Sequence, residues 1–244
     1  MMSVKGFFKY FFTVRRCAGC REILDFDEAD GAFCPECYLK WRIAKTVTCP
    51  TCNQSAIECL CSPKGLEKTG AICLIKLYFY DAAKSSQPQN RLLYHIKRYR
   101  NKRMSDFIAE ELRGKLLSEL SVLDIDPTAD AVLVNVPRGK RARISHGFDQ
   151  SEIICRSLSK KTGIQYSKML KRARGSAEQK KLNKDKRFRN VSASFVCNGE
   201  LKNKYAILFD DVVTTGASMA ACTNLLKKAG AKGVICICMA SVLK

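Results

Sequence analysis

Over roughly the last two-thirds of the chain, the apolar positions alternate between short continuous runs and segments with helical spacing. Residues 71–80 are apolar and aromatic, as a strand would be, with Cys73 as a small core residue. Residues 81–89 are polar, contain Ser85, Ser86 and Pro88, and read as a loop. Over 91–99, Leu92, Leu93, Ile96 and Tyr99 recur at helical spacing, which predicts a helix with Lys97, Arg98 and Arg100 on its solvent side. A second helix of this kind is predicted over 107–120. Residues 131–136 form a β-branched apolar run, long enough for a buried parallel strand, that ends at Pro137-Arg138-Gly139. Helical spacing returns over 150–162, with Ile153, Ile154 and Leu158 inward. A further apolar run, 205–209, stops at two adjacent carboxylates, Asp210 and Asp211. Then come the small turn Thr214-Thr215-Gly216 and a helical segment over 217–229 closed by Gly230. Strand, helix, strand, helix in this order predicts a parallel α/β sheet with helices on both faces.

The N-terminal part follows a different logic. Eight of the fourteen cysteines lie between positions 17 and 61, as Cys17-x-x-Cys20, Cys34-x-x-Cys37, Cys49-x-x-Cys52 and Cys59-x-Cys61. A C-x-x-C knuckle aims two sulfurs and several backbone N–H groups at one centre, and two knuckles complete a closed tetrahedral thiolate site for structural Zn²⁺. Sequential pairing gives one site on Cys17, Cys20, Cys34 and Cys37 and another on Cys49, Cys52, Cys59 and Cys61. It is preferred over a cross-braced arrangement because each pair closes a shorter loop. The one-residue spacing of Cys59-x-Cys61 departs from the usual knuckle. Ser62-Pro63-Lys64-Gly65 reads as a linker, which divides the chain into a zinc-binding part, 1–64, and an α/β part, 65–244.

Composition narrows the class further. The chain has 244 residues, 46% of them hydrophobic, and a formal net charge of +20. Such an excess calls for a polyanionic partner or an anionic ligand. It is concentrated: residues 168–189 hold ten Lys or Arg against Glu178 and Asp185, 91–103 hold six and no acid, and 138–143 hold four and no acid. These segments nominate Arg98, Arg100, Lys102, Arg103, Arg141, Arg143, Lys171, Arg172 and Arg174 as nucleic-acid contacts, with Tyr94, Tyr99 and Phe188 as aromatics able to stack on bases. The aromatic run near the N-terminus is interrupted by Lys9 and leads to no small-residue cleavage site, and no apolar stretch is long enough to span a bilayer. The expectation is a cytoplasmic protein with reduced thiols.

The stretch 207–218 carries the sharpest chemistry. A strand, a tight loop and a helix N-terminus in that order converge unpaired N–H groups and the positive helix end on an anion. Two acids just before that loop suit a ligand that brings hydroxyls or a metal beside its phosphate. Asp210-Asp211-Val212-Val213-Thr214-Thr215-Gly216-Ala217-Ser218 resembles the phosphoribosyl pyrophosphate (PRPP) motif of type I phosphoribosyltransferases. The resemblance implies that fold, with the acids on the ribose hydroxyls, the Thr214 to Ser218 loop on the 5′-phosphate, and Mg²⁺ bridging pyrophosphate and ribose. It places the pyrophosphate at Pro137 and Arg138.

Gly147-Phe148-Asp149-Gln150, the basic segment from Leu170 to Arg174, and Arg187-x-Arg189-Asn190-Val191 with Ser194-Phe195 together resemble the ComF family, as do the cysteine knuckles. His146 and Asp149 depart from the family pattern, which has Arg and Asn there; Asp149 also reads as a helix N-cap. That resemblance implies a PRPP-binding protein of natural competence that handles single-stranded DNA during uptake, with competence proteins such as a DNA-translocating helicase as further partners. Two other readings stand beside it: an active phosphoribosyltransferase using a nitrogenous base as acceptor, and a zinc-containing structural adaptor. The adaptor leaves the Asp-Asp and Thr-Thr-Gly pattern without a purpose.

Overall fold

The computed structural model describes residues 15–25, 31–139, 147–173 and 194–242. Its centre is a five-stranded, wholly parallel sheet. β1 (Leu74–Tyr80), β2 (Ala131–Asn135), β3 (Gln165–Tyr166), β6 (Tyr205–Val213) and β7 (Gly233–Val242) lie in the order β1-β7-β6-β2-β3. A separate antiparallel pair, β4 (Leu170–Arg172) with β5 (Phe195–Cys197), stands beside it. The near-continuous apolar runs in β2, β6 and β7 are explained by burial on both faces.

Helices cover both sides. α3 (Pro88–Arg98), α4 (Lys102–Val122) and α5 (Gln150–Thr162) share one core with Ile207, Phe209, Ile235 and Ile237. On the opposite face α6 (Ala217–Lys228), the short α2 (Lys64–Glu67) and the β4/β5 pair pack on Ala206, Leu208, Val234 and Cys236. The alternation along β6, one residue to each face, sends Asp211 to the α3/α5 side and Asp210 to the α6 side.

The Cys-rich segment is not a remote appendage. Its helix α1 (Pro35–Lys45) inserts Trp41, 0% exposed, against Phe33, Tyr78 and Phe107, each at a ring separation of 5.6 Å. Cys17, Leu24, Phe33 and Trp41 thus belong to the same cluster of buried residues as α4 and the sheet. The Leu60 carbonyl also accepts the Leu74 N–H at 3.2 Å, so the segment occupies part of the open side of β1, the edge strand of the sheet.

The differences from the sequence expectations have local causes. Pro88, read as loop, is the first residue of α3, where its missing N–H costs nothing. Tyr99 caps the end of that helix and is 56% exposed rather than inward. β6 does not stop before its acids: Asp210 stands opposite Cys238, and Val212 and Val213 opposite Ala240 and Ser241, because the ten-residue β7 keeps offering partners.

Candidate functional site: an acidic pair and an anion loop at the sheet's switch point

The chain leaves β2 for β3 on one side and returns to β6 on the other, so the connection reverses direction between β2 and β6. Open α/β sheets bind ligands in the crevice at the C-terminal strand ends of such a point. The two loops that meet there are 136–139 after β2 and 214–216 after β6. An open cleft of about 200 Å³ is lined by Asp210, Val212, Val213, Thr214, Thr215, Gly216, Ala217, Ser218 and Met219.

The anion loop is built from backbone. Gly216 adopts φ +75, and a Cβ there would meet Leu66 and Pro63 at 3.4 to 3.5 Å. A side chain at this position is therefore strained by the backbone, while these neighbours stand at ordinary contact distance. Gly216 is also the N-cap of α6, and no side chain among the described residues caps that helix; the Ala217 N–H leans toward Thr215 Oγ1 at 3.4 Å. The remaining first-turn N–H groups point out of the helix end, with its partial positive charge, into the cleft.

The two acids have unequal surroundings. Asp211, 9% exposed, accepts a hydrogen bond from Gln150 Nε2 and lies 3.6 Å from Lys97 Nζ. Asp210 accepts the Asp211 backbone N–H at 2.9 Å. Burial, and then the neighbouring Asp211 carboxylate, push the Asp210 pKa well above the usual carboxylate range, against that backbone bond and Lys97. A ligand that brings a hydroxyl or a cation to Asp210 relieves this cost.

Lys97 and Gln150 are contributors that the helical pattern misassigned or left silent. Lys97 is turned toward Asp211, not to solvent, because it stands four residues after buried Leu93 on the inward stripe of α3. That i to i+4 relation was the available signal. Arg138 donates through Nη2 to the Lys97 carbonyl at 2.9 Å, while its Nη1 and the Gln150 Oε1 are buried without a partner among the described residues. Asp149 is the N-cap of α5, accepting from Ser151 and Glu152, and it also accepts the Arg138 N–H at 3.0 Å. Pro137, at the turn out of β2, contributes its carbonyl, which accepts from Arg172 Nε at 3.4 Å.

The basic candidates divide. Arg98, Arg100 and Lys102 are exposed around the α3/α4 junction, Lys102 beside Asp106. Lys171 and Arg172 are exposed on β4, the Arg172 guanidinium 4.4 Å from the Phe195 ring centroid. Arg103 reaches the Gly31 and Arg16 carbonyls and so ties α4 to the Cys-rich segment. Tyr94 shares a 2.8 Å hydroxyl contact with Tyr80, whereas Tyr99 stays open. Arg141, Arg143, His146, Arg174, Phe188, Arg187 and Arg189 lie outside the described residues.

The cysteines gather as sequential pairing requires. Cys17, Cys20, Cys34 and Cys37 form one cluster, and Cys49, Cys52, Cys59 and Cys61 another, each with its four sulfurs within 4.8 Å of one another. A tetrahedral ion about 2.3 Å from each sulfur separates sulfurs by about 3.8 Å; Cys20 and Cys34 stand 3.7 Å apart. Cys17 Sγ accepts N–H bonds from Gly19 and Cys34, both at 3.3 Å. Burial alone would raise the Cys17 pKa, but these and the Cys20 N–H outweigh it and bring it to about 7. Cys49, likewise buried but bonded by the Cys52 and Thr51 N–H groups, falls to about 6. Burial and the neighbouring thiols raise other members, Cys20 to about 11 and Cys61 to about 12; four soft sulfurs gathered at this spacing fit zinc, whose charge would offset that repulsion, and both clusters meet that test.

Fold and site together define a parallel α/β protein with an acidic pair and an anion loop at its switch point and two N-terminal tetracysteine clusters. Its sequence is 29% identical over 222 residues to the DNA utilization protein YhgH of Escherichia coli (strain K12), covering 86% of this chain and 90% of that protein. It is 24% identical over 207 residues to Competence protein ComFC of Streptococcus pneumoniae (strain ATCC BAA-255 / R6), covering 84% and 86%. Over most of its length the chain is thus similar to a DNA utilization protein and to a competence protein. No family model matches it. Among solved structures, a hypoxanthine phosphoribosyltransferase from Staphylococcus aureus aligns at 14% identity over 58% of this chain and 65% of that one, with a TM-score of 0.37. Among the described residues no helix is long and apolar enough to cross a membrane.

Proposed function

We propose that this chain binds PRPP with Mg²⁺ at the β2/β6 switch point and handles single-stranded DNA in natural competence through its basic surface. The observation that carries the reading is the cleft in which Asp210 and the 214–218 loop line one wall. Asp210 and Asp211 hold the ribose hydroxyls, and the backbone of Thr214, Thr215, Gly216, Ala217 and Ser218 takes the 5′-phosphate. Val212 and Val213 set the height of the loop through their pairing with β7. Pro137 and Arg138 face the pyrophosphate, and the Arg138 Nη1, without a partner among the described residues, supplies a cationic donor for it. Mg²⁺ would offset the charge of the two acids beside the phosphates.

Arg98, Arg100, Lys102, Arg103, Arg141, Arg143, Lys171, Arg172 and Arg174 supply contacts to DNA phosphates. The names of its relatives, DNA utilization protein and competence protein, support this half of the proposal. Phosphate contacts make the binding independent of sequence and sensitive to salt.

Thermal unfolding tests the ligand half. PRPP with Mg²⁺ at 100 times its Kd should stabilise the protein by about 2.7 kcal/mol, and Asp210→Asn/Asp211→Asn should abolish that shift while remaining folded. An equal shift in the double variant would show that PRPP binds elsewhere.

A further inference from the structure

Lys76 lies in β1 and is 1% exposed. Its ammonium donates to the Cys59 carbonyl, to Cys59 Sγ at 3.3 Å and to the Leu74 carbonyl at 3.2 Å. The Phe79 ring lies 5.8 Å from it. Among the described residues no carboxylate pairs with it. A buried ammonium without a counter-charge is costly enough to unfold its surroundings. The anionic groups available to it are the sulfurs of the second cluster, Cys49, Cys52, Cys59 and Cys61.

We propose that Lys76 is the outer-sphere partner of a metal held by the second cluster and fastens that cluster to the edge strand of the sheet. Four thiolates around a divalent ion carry a net charge of −2, and Lys76 neutralises half of it from the protein side. Its N–H bond to Cys59 Sγ draws charge from one ligand and fixes that sulfur's direction. This compensates for the short Cys59-x-Cys61 spacing, in which Cys59 takes its backbone hydrogen bond from the Cys61 N–H, whereas Cys49 takes two, from Thr51 and Cys52. Because Lys76 belongs to β1, its bonds to the Cys59 carbonyl and Sγ make the metal site and the strand one mechanical unit. The first cluster is tied down differently, with Arg91 donating to the Gly19 carbonyl at 2.6 Å. Metal retention by the second site therefore depends on a sheet residue, and order in β1 depends on the metal.

Lys76→Met keeps the length of the side chain and removes its charge and N–H groups. Full-length protein should carry two zinc ions per chain by elemental analysis. The variant should lose one of them about 10 to 100 times more readily to a competing chelator, the range found when outer-sphere partners of metal ligands are removed. Thiol alkylation mapped by mass spectrometry should place that loss at Cys49, Cys52, Cys59 and Cys61, with Cys17, Cys20, Cys34 and Cys37 still protected. Unchanged retention of the second ion in the variant would overturn the proposal, as would loss from both clusters alike. A second arm needs no variant. Stripping the second ion from the wild-type chain should raise amide exchange in 74–80, and unchanged protection there would equally refute the link.

Discussion

Trp41 is the only tryptophan of the chain, and replacing it by alanine tests whether the Cys-rich segment and the sheet share one cooperative core. The side chain is fully buried among Phe33, Tyr78 and Phe107, and its Nε1 donates to Glu111 at 2.9 Å. Removing such a ring costs about 3 to 5 kcal/mol through lost burial and the cavity left behind. Glu111 adds little to that, because Lys45 still bonds it at 2.5 Å. Trp41→Phe, which keeps a ring and loses the N–H, should cost about 1 kcal/mol from the hydrogen bond, plus a smaller packing loss. The assay is urea unfolding followed by far-ultraviolet circular dichroism, which reports the whole chain. Trp41→Ala should shift a single transition to lower urea, with zinc released over the same range. Two separated transitions, with the larger at the wild-type midpoint, would refute the shared core and show that the 15–61 region unfolds by itself.

Other substitutions probe the sites one by one. A Cβ on Gly19 would stand 2.6 Å from Cys37 Sγ and 3.0 Å from Pro88 Cβ, so Gly19→Ala should lower zinc content from two ions per chain to one; two retained ions would contradict that geometry. Because the folded-state pKa of Asp210 is raised, ionising it opposes folding: its stabilising share is present below the ordinary aspartate pKa of about 4 and is lost as pH rises toward the folded value. Asp210→Asn without divalent ions should therefore match wild type at low pH and exceed it in urea resistance near pH 8, and a variant weaker than wild type at pH 8 would refute the electrostatic account. Gln150→Ala removes the amide donor that orients Asp211 and should weaken PRPP binding by roughly tenfold, about the worth of one hydrogen bond to a charged group, as read by titration calorimetry; unchanged affinity would deny Gln150 a positioning role. If Arg98, Arg100, Lys171 and Arg172 all touch phosphates, they contribute about −3 to the salt slope of single-stranded DNA binding, and replacing the first two by alanine should make the measured slope shallower by about half that amount.

Much of this was legible in the chain because each element carries its own local signal. The alternation of apolar runs with helical spacing placed β1, β2, β6, α5 and α6 within a few residues, and Gly216 marked the helix entry that the anion loop needs. Cysteine spacing gave both clusters, since short loops confine each knuckle to its sequence neighbour. What escaped the sequence depends on contacts distant along the chain. The length of β6 past its acids is set by β7, and the partner that Lys97 meets, Asp211, lies more than a hundred residues away. Lys76 looks like an interruption in an apolar strand until Cys59 is seen beside it. The packing of Trp41 on Tyr78 and Phe107 likewise has no signature in either segment taken alone.

The central claim is that the switch-point cleft holds PRPP, and titration calorimetry with Mg²⁺ on the zinc-loaded chain, repeated with single-stranded DNA present, tests it most directly. Saturable binding at one site per chain, lost in Asp210→Asn/Asp211→Asn, is the predicted result; a DNA-induced change in PRPP affinity would show that the two ligands are linked. Absence of binding by the folded wild-type protein would contradict the claim and leave the acid pair and its loop as inherited architecture around a protein that works through DNA or protein contacts alone.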